Sequence, residues 1–146
     1  MPETGFVLDG ALEAVGLPLG DWPLCRVFLF DDARYPWLML VPRRADRREI
    51  IELSSEDQAQ LFSEISRAMT ALQGVAKPDK LNLGALGNVT PQLHIHIVGR
   101  YVSDEAWPGP VWGAVPAKPY ELGVAEDLIN RLRAELDTGQ NTGPEA

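Results

Sequence analysis

The chain has 146 residues, 45% of them hydrophobic, with a single cysteine; that length fits one domain with a real core. A net charge of −8 and a pI near 4.7 argue against a nucleic acid polymer as partner, because Lys and Arg supply most of such affinity by neutralising phosphates. No apolar run approaches the roughly 18 residues needed to cross a bilayer, no export signal opens the chain, and Cys25 has no intrachain partner. A soluble, cytoplasmic protein with no membrane partner is the expectation, and any anionic ligand would be small and held by local donors.

From the N-terminus, Phe6, Leu8, Leu12 and Val15 alternate with Gly and polar residues, and a short strand or coil precedes a short helix around Asp9 to Val15. Leu17 to Pro23 reads as turn-rich. Leu24 to Phe30, LCRVFLF, and Trp37 to Pro42, WLMLVP, are dense in β-favouring residues and flank a polar turn, which predicts a hairpin. Cys25 within the first run reads as a small buried hydrophobe.

Arg43, Arg44, Arg47 and Arg48 cluster in an otherwise acidic chain, either as a solvated loop or facing outer phosphates or a partner. Ser54 or Ser55 then caps a helix with Glu56 and Asp57 in its first turn. Ala59, Leu61, Phe62, Ile65, Met69 and Leu72 recur at helical spacing, and Gly74 is the expected stop. Lys80 to Leu83 begins a further strand. Beyond Arg100, Tyr101 to Gly113 brings together two Trp and two Pro, fit to wall a base pocket, to pack on the core or to line a subunit interface. Tyr120 to Leu136 predicts a last helix with Leu122, Ala125, Leu128, Ile129, Leu132 and Leu136 on its apolar side. The domain organisation expected is one domain over 1–136 and a flexible tail over 137–146.

Both histidines lie in the stretch Asn82 to Arg100. In an extended segment Gln92, His94 and His96 face one way while Leu93, Ile95 and Ile97 face the other. Upstream, Gly84, Gly87 and Asn88 make a turn-prone loop whose backbone N–H groups suit phosphate oxygens. Three readings fit the pair. It is the solvent face of an amphipathic strand; or a metal site, for which carboxylates would have to complete the shell; or a histidine nucleophile with a neighbour that reaches the same phosphate.

The run Gln92-Leu93-His94-Ile95-His96-Ile97-Val98 at the end of a Gly-rich loop resembles the signature of the histidine-triad family of nucleotide hydrolases and transferases, His-φ-His-φ-His-φ-φ with φ apolar. The glutamine-led motif followed by DEAWPGPVWG looks like a bacterial subgroup of that family. The resemblance spans roughly Leu24 to Trp112. It implies an α+β fold with an antiparallel sheet of about five strands, two main helices and a two-fold dimer. The order of elements agrees, since strands follow one another in hairpin fashion.

By the same resemblance His94 is the nucleophile that takes up a nucleoside monophosphate, His96 contacts the phosphate, and Gln92 assists in place of the first histidine. Unlike a histidine, an amide cannot titrate near neutral pH. Asp31 falls where the family places a ribose-binding Asn, although Asp31 and Asp32 also read as turn formers. Asn82, Asn88 and the backbone at Gly87 and Val89 fall where it flanks the phosphate. The implied activity is hydrolysis or nucleotidyl transfer on a nucleotide phosphoanhydride or phosphoramidate, and the implied ligand is a purine nucleotide or dinucleoside polyphosphate. No metal or other cofactor is required for attack by an imidazole, though a divalent cation can accompany a polyphosphate. A nucleotide-binding module without turnover is the alternative, and a metal-dependent hydrolase a further one.

Overall fold

A computed structural model describes residues 5–113 and 116–141, with side chains described through residue 137. In chain order it contains α1 (Gly10–Val15), β1 (Gly16–Asp21), β2 (Cys25–Phe30), β3 (Trp37–Pro42), one turn of 3-10 helix (Ile50–Glu52), α2 (Ser55–Ala76), β4 (Lys80–Gly84), β5 (Ile95–Arg100) and α3 (Val124–Asn141). The strands form one antiparallel sheet in the order β1-β2-β3-β5-β4. The α+β architecture with five strands and two main helices is thus the one expected.

Helices α2 and α3 cover one face of the sheet. Val27, Leu29, Leu38, Leu40, Ile95 and Ile97 meet Leu61, Ile65 and Leu72 of α2 and Leu132 and Leu136 of α3 in the largest apolar cluster. Period-two alternation on the strands and the i, i+4, i+7 spacing on α2 both aim apolar residues at this layer. Ser54 caps α2, its side chain accepting from the Asp57 N–H at 3.1 Å. Glu64, buried on α2, accepts the Leu24 and Cys25 N–H groups at 2.9 and 2.8 Å and so ties the helix to the start of β2.

Four expectations are corrected. The turn-rich segment is mostly strand: β1 pairs with β2 as an edge, with its register shifting between Pro18 and Gly20, which is where an edge tolerates proline. Helix α2 runs through Gly74 and stops at Lys77, whose left-handed φ of 47° ends it. Phe62 and Ala59 on α2 and Leu122 before α3 lie exposed rather than in the apolar stripe. Helix α3 begins at Val124 and continues to Asn141, so residues 137–141 extend it; of the expected tail, 142–146 lie outside the described residues.

Candidate functional site

The second face of the sheet carries the histidines. The register pairs Met39 with His96 and Trp37 with Val98 across β3 and β5, while Gly84 on β4 stands opposite His96 from the other side. The alternation read from the sequence holds: Leu93, Ile95 and Ile97 enter the helix-covered core and His94 and His96 face away from it. Solvent does not bathe that face, however. His94 and His96 are 7% and 6% exposed, so the amphipathic-strand reading is corrected. The physical reason is a second apolar layer built from α1, the loop after β5 and aromatic side chains of β2 and β3.

The two imidazoles lie edge to face, ring centroids 4.9 Å apart. Each has its Nδ1 committed, in opposite senses. His94 Nδ1 lies 2.6 Å from the Gln92 backbone carbonyl oxygen, which only accepts, so the His94 proton sits on Nδ1 and Nε2 keeps its lone pair. His96 Nδ1 accepts the Trp37 indole N–H at 2.9 Å; an indole only donates, so neutral His96 carries its proton on Nε2. Burial, reinforced by the neighbouring His94, pushes the His96 pKa down to about 3. Among the described residues the sealed polar side-chain atoms without partners are the Tyr35 hydroxyl and Trp112 Nε1. The two unbonded imidazole Nε2 atoms are not among them and therefore reach the surface.

Three rings surround His96: Phe30 at 5.8 Å, Trp37 at 5.4 Å and Trp112 at 5.9 Å between centroids. Phe30 stacks on Trp37 at 4.2 Å. Trp112 arrives from the loop after β5, and it approaches Gly84 so closely that a Cβ there would stand 2.9 Å from the indole. Arg100 holds this loop in place. Its guanidinium, 2% exposed, pairs with Asp104 at 2.8 and 3.0 Å, donates to the Gly109 carbonyl at 2.8 Å and to Asn82 Oδ1 at 2.9 Å, and lies near the rings of Tyr35 and Trp107. Arg100 is thus an internal strut, and the Trp-rich segment packs as a wall of the histidine site.

The residues singled out from the sequence divide into two groups. Gly87, Asn88 and Val89 lie on the loop before the histidines, with Asn88 and Val89 exposed; Gly87, Asn88 and Pro91 share a cavity of about 240 Å³ with Arg48 and Glu49. The others have structural partners. Asn82 Oδ1 serves Arg100, and Asp31 accepts the Tyr120 N–H at 2.9 Å. Gln92 Oε1 accepts the Asp9 N–H at 2.8 Å while Nε2 donates to the Val7 carbonyl at 2.9 Å, so its amide clasps the N-terminal segment as a strand neighbour would.

The arginine cluster divides too. Arg43 is buried and donates to the Leu24, Trp22 and Pro23 carbonyls, and Arg44 pairs with Asp57 at 2.7 Å. The Arg47 backbone carbonyl accepts from Leu93, and Arg48 is exposed.

Sequence reasoning passed over Trp37 and Phe30, which sit beside His96 although neither is part of the histidine motif. Their signal was available in part: both fall on the hairpin, at positions that alternate with core residues, but only the β3–β5 register brings them to His96.

The HIT domain family matches residues 15–103. Among solved structures, the chain is similar to a histidine triad protein from Bradyrhizobium japonicum at 46% identity and a TM-score of 0.88, covering 90% of this chain and 98% of that one. A histidine triad (HIT) protein from Sinorhizobium meliloti shows 42% identity at a TM-score of 0.88, again over 90% of this chain and 98% of that one. One from Marinobacter aquaeolei shows 41% identity and a TM-score of 0.88 over 91% and 97%. No curated protein matches the chain.

Proposed function

Because the chain belongs to the histidine-triad (HIT) family, we propose that it is a nucleotide hydrolase or nucleotidyl transferase acting through a covalent nucleotidyl intermediate on His94. The observation that carries this reading is the hydrogen bond from His94 Nδ1 to the Gln92 carbonyl, which leaves the Nε2 lone pair available as nucleophile. In the first step Nε2 bonds to phosphorus while the bond from phosphorus to the leaving atom breaks, and the leaving atom takes the electron pair. In the second, water attacks phosphorus and loses a proton to solvent, and the N–P pair returns to Nε2 as the nucleoside monophosphate departs.

His96 presents Nε2–H, a donor suited to charge building on the phosphoryl oxygens. The loop at Gly87, Asn88 and Val89 supplies further donors beside the phosphate. A purine nucleotide or dinucleoside polyphosphate is the ligand proposed, and a divalent cation can accompany it. The two-fold dimer of the resemblance is part of the same proposal; β4 is a sheet edge with Leu83 exposed, a surface open to a second copy.

The test is AMP release from a dinucleoside polyphosphate and from an adenosine phosphoramidate, by the wild type and by His94→Ala. Intact-mass analysis after quenching without acid looks for the adduct. Turnover lost in the variant, with an adduct mapped to His94, is the expected result; turnover that survives His94→Ala refutes the mechanism. A second reading, a nucleotide-binding module without turnover, is favoured by one observation: Gln92, at the first triad position, is engaged by Val7 and Asp9. It predicts AMP binding with no release from either substrate.

A further inference from the structure

The nucleotidyl reading leaves open which leaving groups the site accepts, and the proton inventory around His96 bears on it. When the bond from phosphorus breaks, a phosphate or pyrophosphate departs as a stable anion near neutral pH. An amine or alkoxide needs a proton delivered to the leaving atom as the bond breaks. The first triad position here is Gln92, which has no proton to give and whose amide is already bonded at both ends.

His96 is no better placed as an acid. To surrender the Nε2 proton without becoming an imidazolate it would have to gain one on Nδ1, and the Nδ1 lone pair faces the Trp37 N–H, which donates and cannot relay. Among the described residues the aromatic rings packed round it are Phe30, Trp37, Trp112 and His94, and Met39 and Gly84 stand opposite His96 across the sheet. The other imidazole, His94, holds its proton on Nδ1 against the Gln92 carbonyl. Tyr35 touches Trp37 and not the imidazole in the ring contacts of the described residues. The lowered pKa of His96 agrees with a ring that stays uncharged at neutral pH.

We infer that this site is selective for the leaving group: it cleaves phosphoanhydrides, whose phosphate leaving group needs no proton, and discriminates against phosphoramidates and alkyl esters, with Trp37 as the positioning residue that keeps His96 a hydrogen-bond donor. This rests on the nucleotidyl reading and narrows it to a substrate class.

The experiment compares kcat/KM for a dinucleoside polyphosphate, an adenosine phosphoramidate, and a series of aryl and alkyl esters of AMP graded in leaving-group pKa. Since general acid assistance contributes on the order of a hundredfold or more, the anhydride is expected to exceed the phosphoramidate by about that factor, with rates falling steeply along the ester series. Equal rates on anhydride and phosphoramidate, or a flat series, overturn the inference.

Nitrogen NMR of the wild-type imidazoles reads the cause without any turnover. His96 is expected protonated at Nε2 and bare at Nδ1; a proton on Nδ1 overturns the inference. In Trp37→Phe, which keeps an aromatic ring but loses the donor, that proton is expected to distribute between the two nitrogens, whereas Trp112→Phe leaves the tautomer as it was. An unchanged tautomer in Trp37→Phe also counts against it. Failure of the nucleotidyl reading looks different: no substrate of any class turns over, while the His96 tautomer is as described.

Discussion

Replacing Gln92 with alanine separates a latch from a catalytic side chain. The amide makes two bonds to the N-terminal segment, one partly buried at 2.8 Å from the Asp9 N–H and one exposed at 2.9 Å to the Val7 carbonyl. A buried neutral hydrogen bond contributes about 1 kcal/mol net and an exposed one about half that, so the variant should loosen the segment by about 1.5 kcal/mol. That corresponds to about a tenfold rise in its opening equilibrium. The packing of Phe6 and Leu8 beside Leu12, Phe28, Met39 and Val41 is untouched and keeps the opening local.

The assay is amide hydrogen exchange at Asp9, expected about tenfold faster in Gln92→Ala. Gln92→Glu should fall between the two, because a carboxylate still accepts the Asp9 N–H but repels the Val7 carbonyl. Unchanged exchange at Asp9 in the alanine variant would refute the latch.

Removing the Glu64 carboxylate strands two buried N–H groups at the start of β2; Glu64→Ala should therefore lose about 3 kcal/mol in urea unfolding, and Glu64→Gln, which keeps one acceptor, about half of that. The Arg100 guanidinium, foremost among its partners, holds the Asp104 carboxyl down at about 2. A depressed carboxyl pKa gives stability that is fully present above the unfolded value of 3.8 and lost as pH falls towards about 2, a loss of about 2 kcal/mol that denaturant melts across that range should register. His96 acts at higher pH. Kept neutral to about 3 when folded and titrating near 6.5 when unfolded, it lets the unfolded chain bind the proton first, so stability falls as pH drops below about 6.5; His96→Phe should flatten that part of the curve above pH 4.

Elements whose local chemistry and tertiary setting agree were legible in the sequence. LCRVFLF and WLMLVP form the predicted hairpin, and Ser54 with its acidic first turn starts α2. β1 was hidden because GLPLGD carries turn residues throughout, and it becomes a strand only because β2 supplies the pairing. Gly74 looked like a stop, but a helix held on the core by Ala68, Ala71 and Leu72 tolerates one glycine, and the end came where Lys77 adopts a left-handed φ. Leu122 fell on the extrapolated stripe of α3 yet precedes the helix, beyond Gly123 with its φ of 87°, and so faces solvent.

The candidate site was legible as a list of side chains and not as a set of available atoms. The motif picks out His94 and His96, and alternation puts them on one face, but the atom each ring offers is decided by partners of different reach. For His94 the partner is two residues away, a backbone carbonyl that any side chain at position 92 would leave in place. For His96 it is Trp37, 59 positions distant and brought near by the β3–β5 register. Gln92 resembles a weakened histidine when read within the motif. With its amide matched to the N–H of Asp9 and the carbonyl of Val7, 83 and 85 positions away, it has a task that an imidazole, with one donor and one acceptor fixed on a small ring, fits less well. Distant partners thus decide both what Gln92 does at the first position of the motif and which nitrogen His96 offers at the last, and under the proposed nucleotidyl reading such a pair would serve a leaving group that departs as an anion.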